Sequence, residues 1–425
     1  MNVPVPAFPG TIHTLPNGLT VIHHQIATVP VVTVDVWVNA GACKEPQSWS
    51  GMAHFLEHMI FKGSDRLPPG YFDQVIENQG GTTNAATSHD YAHFFINVTV
   101  PHLAYALDCF AELLLRAAIP DSEFIRERDV VLEELRQSQD DPDWVGFQAL
   151  MEAVYPSHPY GRPILGTEES VLGRSPHEMR QFHRCHYQPD NMVIVVVGGV
   201  SLEQTLDCVG NSFRHFFPNS GIACPHVPHV ITEPGIYRQE LGLSRLEQAR
   251  LLMAWTGPGV DQLRDAYGLD ILSVALGGSR TSSLVQELRE EKQLVQAVGS
   301  EFSLQRDSSI FSISVWLDSQ HLNEVEKRIS DRLAHLASTP MADEVLTRYQ
   351  RLLCNDYAFS TETASQLAGL YGYYHTIATA ELATYYPHHI QSFQPHDLQQ
   401  LAQCYLSPES YSVTVLKPMG SRSLS

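Results

Sequence analysis

Two histidines and a glutamate lie within five residues of one another, in the segment His54-Phe-Leu-Glu57-His58. On an α-helix, His54 and His58 are i,i+4 neighbours about 6 Å apart at Cβ, so both imidazoles can bind one metal ion. The carboxylate of Glu57 then lies beside that ion. The order is H-x-x-E-H, the reverse of the H-E-x-x-H pattern of zinc enzymes. The alternative is a polar helix face whose two histidines bind nothing.

A catalytic zinc ion takes three protein ligands and keeps one position for water. The best region for the third ligand is 122–137 (SEFIRERDVVLEELRQ), where Glu127 and Glu134 lie on one line of a helix, two turns apart. Glu133 points about 100° away from Glu134, so the two cannot both bind one ion, and we interpret Glu133 as a solvated side chain. Spacing alone does not decide whether Glu134 is a ligand.

The elements that position these residues follow a plan that is used twice along the chain. The first half has strand patterns at 19–24, 31–39, 81–87, 91–100 and 191–200, and helix patterns at 51–61, 71–79, 103–137 (broken at Pro120) and 202–216. The second half has strand patterns at 236–243, 247–256, 295–304, 309–317 and 411–416, and helix patterns at 264–276, 281–290 and 323–357 (broken at Pro340). Matching anchors include Asp90 with Asp307 and Pro120 with Pro340. We infer a duplicated domain.

The duplication predicts an α+β protein with two homologous domains that face each other across a cleft. We expect each domain to be a largely antiparallel sheet with helices mainly on one face. The domains are predicted at 1–217 and 236–425, with a linker rich in proline and glycine at 218–235. In the second copy the motif positions become Leu269, Leu272 and Ser273. The metal site is therefore expected only in the first domain.

Composition excludes several classes of protein. The chain has 425 residues, 43% of them apolar, and a formal net charge of −20. Such an acidic surface repels nucleic acid and anionic lipid, so neither is an expected partner. No apolar run is long enough to span a membrane, and the start shows no signal peptide. Seven scattered cysteines without C-x-x-C indicate a reducing compartment, so we expect a cytoplasmic protein.

Together these residues resemble the inverted-zinc-motif (M16-type) metallopeptidases, the family of mitochondrial processing peptidase, pitrilysin and insulin-degrading enzyme. That family has a zinc-binding glutamate 76 residues after the second histidine, which is Glu134 here, and another glutamate seven residues earlier, which is Glu127. The segments 80–90 and 277–291 also fit the family. Size and the single duplication resemble the shorter, dimeric branch, which includes bacterial processing proteases.

The resemblance implies a zinc-dependent endopeptidase with one Zn²⁺ per chain. The ligands would be His54, His58 and Glu134, and Glu57 would be the general base that takes a proton from the attacking water. Glu127 would orient a ligand from outside the metal shell. The family also implies a homodimer, or a heterodimer with a homologous subunit.

The segment 80–98 is predicted to be a β-hairpin whose first strand carries small residues. By resemblance, Asn84, Ala85, Ala86 and Thr87 form a strand edge that binds the backbone of an extended or unfolded peptide. Small side chains suit such strand addition, and the alternative is an ordinary strand bounded by glycines.

One pair of residues departs from the family pattern. Active members carry an arginine and, seven residues later, a tyrosine near the substrate carbonyl; here Arg289 is followed by Gln296. Either Gln296 substitutes by donating a hydrogen bond, or a homologous partner subunit supplies the pair. In the second case the chain is a catalytic or scaffold subunit that is inactive alone. A third hypothesis, a hydrolase with a non-peptide substrate, has no motif in its favour.

Overall fold

The computed structural model describes residues 7–216 and 235–419, which form two β-sheets with their helices. The strands of the first sheet are β1 (Thr11–Thr14), β2 (Thr20–Gln25), β3 (Val31–Val38), β4 (Thr82–Thr87), β5 (Ala92–Thr99) and β6 (Met192–Gly198). Those of the second sheet are β7 (Ile236–Leu243), β8 (Ala249–Gly257), β9 (Val295–Leu304), β10 (Ser309–Leu317) and β11 (Tyr411–Pro418). The predicted linker at 218–235 lies outside the described residues, apart from Gly235.

Helices surround both sheets. The first half contains α1 (Met52–Ile60), α2 (Tyr71–Asn78), α3 (Leu103–Arg116), α4 (Asp121–Asp140), α5 (Pro142–Val154), α6 (Glu168–Leu172), α7 (Pro176–His186) and α8 (Leu202–Ser212). The second half contains α9 (Leu263–Leu276), α10 (Leu322–Ser338), α11 (Asp343–Phe359), α12 (Ala364–Ile377), α13 (Leu382–Ser392) and α14 (Pro395–Tyr405). Within 7–216 and 235–419, none of these helices is long and apolar enough to cross a bilayer.

The two sheets have matching topologies. The strand order is β1-β2-β6-β3-β5-β4 in the first sheet and β7-β11-β8-β10-β9 in the second. Each sheet has one parallel pair, β2 with β6 and β7 with β11, and its other pairs are antiparallel. This confirms the predicted two-domain α+β class. Among the described residues, β4 and β9 are equivalent edge strands.

One helix of each half packs on the sheet of the other half. Helix α5 packs on β8 and β11, and α12 packs on β3 and β6. Both contacts need glycine: a Cβ at Gly146 would lie 2.8 Å from the side chains of Leu252 and Leu416, and one at Gly372 would lie 2.0 Å from Nε1 of Trp37. Helices therefore cover both faces, with the larger cores on one face and one exchanged helix on the other.

We expect Gly372→Ala to lower the free energy of unfolding by roughly 1–3 kcal/mol, because the new methyl group overlaps the indole of Trp37. Gly369→Ala on the same helix is the matched control, since no described atom lies within 4 Å of its Cβ position. That control should be neutral or slightly stabilising, because alanine favours helix. Chemical unfolding measures both. Equal stability of the two variants would contradict the close contact.

The structure adds helices in two stretches for which the sequence predicted no element, and it corrects one predicted helix. The less regular stretch between 138 and 190 contains α5, α6 and α7. The region between 357 and 411 contains α12, α13 and α14. The α-helix predicted at 281–290 is a π-helix at Val285–Glu291, a rare geometry that shifts side chains off the usual helical spacing.

Candidate metal centre

Helix α1 is fixed at its start by a buried carboxylate. The N–H groups of Gly51 and Ala53 donate to Glu45 at 3.0 and 2.7 Å. Burial raises the pKa of Glu45 to about 8, although these backbone hydrogen bonds act in the opposite direction. The apolar face of α1 is buried in the core of the first half, and it consists of Met52, Phe55, Leu56, Met59 and Ile60. Its other face carries the two histidines and Glu57.

The structure brings the three predicted ligands together. Nε2 of His54 lies 3.6 Å from Oε1 of Glu134, and Nε2 of His58 lies 3.4 Å from Oε2 of the same carboxylate. One ligand atom from each of the three residues lies within 4.8 Å of the other two. Zinc bonds of about 2.0–2.2 Å place tetrahedral ligand atoms roughly 3.3 Å apart, so the geometry fits this ion. Two imidazoles and one carboxylate are also a common donor set for catalytic zinc.

A chain of contacts outside this group sets the orientation of His58. Its Nδ1 lies 3.0 Å from Oε1 of Glu127, and the other oxygen of Glu127 lies 2.7 Å from Nζ of Lys62. When a metal ion is bound, an Nδ1–H that donates to Glu127 would leave the lone pair of Nε2 to bind that ion. The structure thus places Glu127 outside the group of three ligand residues and in contact with His58. Lys62 is a residue that the sequence reasoning missed, although its i,i+4 spacing from His58 was a usable signal.

The surroundings favour the charged form of Glu134 and the neutral form of His54. Burial, with His58 beside it, lowers the pKa of His54 to about 4. Burial also lowers the pKa of His58, but its hydrogen bonds with Glu127 and Glu134 outweigh that effect and raise it to about 9. The hydrogen bond with His58 lowers the pKa of Glu134. Without a cation, the proton on His58 balances part of this negative charge.

Glu57 lies beside the three ligand residues and has a different partner. The Thr87 hydroxyl, at the end of β4, donates to Oε2 of Glu57 at 2.6 Å. Burial raises the pKa of Glu57, while this hydrogen bond lowers it. The carboxylate is thus held close to the ligands by a contact from the neighbouring strand.

The predicted substrate strand is β4. Its exposure alternates, so the side chains of Asn84 and Ala86 are on the exposed face, and those of Ala85 and Thr87 are on the face toward α1. Elsewhere, Arg289 lies in the π-helix with its guanidinium 2.6 Å from Oε1 of Glu290. Gln296 is an exposed residue of β9. The structure thus places these two on the second half.

Comparison with known proteins decides the family. The family description "Insulinase (Peptidase family M16)" matches residues 20–168, and "Peptidase M16 inactive domain" matches residues 175–353. The protein named "Uncharacterized zinc protease YmxG" of Bacillus subtilis (strain 168) is 30% identical over 353 residues, which cover 83% of this chain and 85% of that protein. The chain belongs to peptidase family M16. The predicted resemblance is therefore confirmed.

Other similar proteins support the M16 assignment over nearly the whole length. The zinc protease PqqE of Helicobacter pylori (strain ATCC 700392 / 26695) is 28% identical over 416 residues, covering 95% of this chain and 92% of that one. The crystal structure of a protease from Helicobacter pylori has a TM-score of 0.91 at 25% identity and covers 97% of this chain and all of that one. The M16 inactive-domain match falls mainly on the half that lacks the histidine motif.

Proposed function

We propose that this protein is a zinc-dependent endopeptidase that hydrolyses extended or unfolded peptides. The observation that carries the proposal is the group of His54, His58 and Glu134, whose ligand atoms lie within 4.8 Å of one another. The names of the similar proteins, zinc proteases, support zinc as the metal. We propose one ion per chain, because residues 7–216 and 235–419 contain one such group.

In this proposal Glu57 is the general base. Zn²⁺ bound by the three residues would supply Lewis acidity and lower the pKa of water toward about 7. Thr87 engages Oε2 of Glu57, which leaves Oε1 to accept the proton of the attacking water and pass it to the leaving amine. Glu127 keeps the proton of His58 on Nδ1, and Lys62 holds Glu127 in place.

We propose the edge of β4 as the place where the peptide backbone binds. An added strand would hydrogen-bond to main-chain groups of Asn84, Ala85, Ala86 and Thr87, whose small or short side chains leave room for it. Because such binding uses the backbone, an unfolded peptide is required and sequence preference is broad.

The test uses the purified chain, an unstructured peptide and a folded protein that contains the same peptide sequence. We expect cleavage of the free peptide only, loss of cleavage after dialysis against a chelator, and recovery on adding one equivalent of Zn²⁺. The metal content is measured in parallel. Full activity in a preparation without metal would contradict the proposal.

A second candidate is an M16 subunit that needs a homologous partner, as a homodimer or a heterodimer. The observations that favour it are the departure at Gln296 and the ion pair of Arg289 with its neighbour Glu290, which occupies the guanidinium. In that case a partner supplies the arginine and tyrosine. A chain that binds zinc but cleaves peptide only when mixed with a homologous subunit would support this candidate.

We propose the cytoplasm as the location, on the basis of cysteine usage. Cys43 and Cys109 are buried free thiols, and burial raises the pKa of both, which makes them poorly reactive.

A further inference from the structure

The side chain of Thr87 points away from the exposed face of β4 and toward α1. Exposure alternates along this strand, so Thr83, Ala85 and Thr87 share the inner face. The hydroxyl of Thr87 donates to Oε2 of Glu57 at 2.6 Å, which is the length of a charge-assisted O–H···O⁻ bond. This contact links the predicted substrate strand to the predicted base.

A glutamate base needs such a contact because its side chain has three rotatable bonds. Other groups of the centre are each held by a neighbour: His58 by Glu127, and Glu127 by Lys62. For Glu57 the corresponding contact is the Thr87 hydroxyl. Threonine is well suited, since its β-branched side chain has few χ1 rotamers in a strand.

The loop 41–45 is hydrogen-bonded both to the residues that follow Thr87 and to the start of α1, the helix that carries Glu57. The N–H groups of Ala42 and Cys43 donate to the carbonyls of Ser88 and His89, directly after Thr87, at 3.0 and 2.8 Å. The same loop ends at Glu45, whose carboxylate accepts the first N–H groups of α1. The position of Thr87 relative to α1 is therefore set by a short, hydrogen-bonded path.

Residues of the second half also stabilise the turn that follows β4. The Arg306 N–H donates to Oδ2 of Asp90 at 3.0 Å. The hydroxyl of Tyr160 donates to Asp90 at 3.0 Å and accepts from the N–H of Asp307 at 3.0 Å. Asp90 and Tyr160 are buried. The half without a metal site thus helps to fix the strand that carries Thr87.

We propose that Thr87 is a positioning residue for the general base. Its hydroxyl fixes one oxygen of Glu57, so that the other oxygen faces the attacking water. The inference rests on the proposed function and adds a separate role to the backbone binding proposed for β4.

The test compares purified full-length, zinc-loaded variants on an unstructured peptide. Thr87→Val keeps the shape but removes the donor, and we expect kcat to fall about 10- to 100-fold with KM changed by less than about twofold. Thr87→Ser restores the donor and should recover kcat to within about threefold of wild type. The matched control is Thr205→Val in α8, because the buried Thr205 hydroxyl has no hydrogen-bond partner among the described residues and lies outside the proposed site.

A double variant separates this role from a general effect on the fold. If Thr87 acts through Glu57, adding Thr87→Val to Glu57→Gln should cause no further loss of the residual kcat. A further loss of the same 10- to 100-fold size would overturn the inference. So would a Thr87→Val enzyme whose kcat equals that of Thr205→Val, or whose defect lies in KM.

A crystal structure of the zinc-loaded wild type and of Thr87→Val gives a readout that does not depend on activity. We expect Glu57 in one rotamer in wild type and displaced or in several rotamers in the variant. An unmoved Glu57 carboxylate in the variant would overturn the inference, even if no form of the protein cleaves peptide. Conversely, a displaced carboxylate in an inactive protein would support the inference and count against the proposed function.

Discussion

We expect Glu57→Gln to lower kcat for peptide cleavage by about 10²- to 10⁴-fold, because the amide cannot accept the proton of the attacking water. Glutamine is nearly isosteric and can still accept a hydrogen bond from Thr87 through its carbonyl oxygen. The histidines and Glu134 are unchanged, so zinc content should stay at the wild-type level. The measurement is steady-state cleavage of an unstructured peptide, with metal analysis of the same samples.

Glu133→Gln serves as the control for the Glu57 variant. The Glu133→Gln substitution makes the same chemical change on the exposed side of α4, where the carboxylate of Glu133 lies 3.7 Å from Arg136. The kcat of the Glu133→Gln variant should match that of wild type. If Glu57→Gln cleaves as fast as this control, Glu57 is not the base and the proposed mechanism fails. If Glu57→Gln loses zinc, its defect has a different cause.

We expect Glu134→Ala to weaken zinc binding by more than about 100-fold, because it removes one of three ligands, whereas loss of a supporting residue alone commonly costs 10- to 100-fold. The two histidines on α1 would remain, but the carboxylate from α4 that faces both of them would be gone. Competition with a chromogenic chelator measures the affinity. A second readout is thermal unfolding, since zinc should raise the Tm of wild type and not that of the variant.

The adjacent Glu133→Ala variant is the matched control for this experiment. It removes a carboxylate from the same helix turn, but that carboxylate is directed to Arg136. We expect its zinc affinity and its zinc-dependent Tm shift to equal those of wild type. Equal zinc affinity of Glu133→Ala and Glu134→Ala would show that the metal does not bind between α1 and α4.

The elements that hold the site were predictable because their signals are local. The pattern of α1 gives a helix at 51–61, and the structure has Met52–Ile60. Edge and central strands such as β9 and β10 match their predicted bounds, since β-branched runs between turn residues define them. Helices α5 and α12 were not predictable in this way. Each contains a glycine that faces the sheet of the other half, so its contacts depend on residues about a hundred or more positions away.

In the site, too, some features were predictable from local sequence and others were not. The helical spacing of His54 and His58 predicts a shared ion, the family resemblance adds Glu134 as the third ligand, and the structure brings their ligand atoms together. The contacts that hold this group come from non-local pairs, such as Thr87 with Glu57 and Glu45 with the start of α1. No sequence spacing encodes those pairs. The roles predicted for Arg289 and Gln296 stay predictions.

The exchange of α5 and α12 has a consequence for how such a doubled protein can evolve. In each half, one face of the sheet is covered by a helix of the other half, and these helices approach closely at Gly146 and Gly372. Neither half covers its own sheet, so the second half is needed for the fold although it lacks the histidine motif. Substitutions at its motif-equivalent positions can therefore accumulate, whereas removal of the half would uncover the sheet of the first.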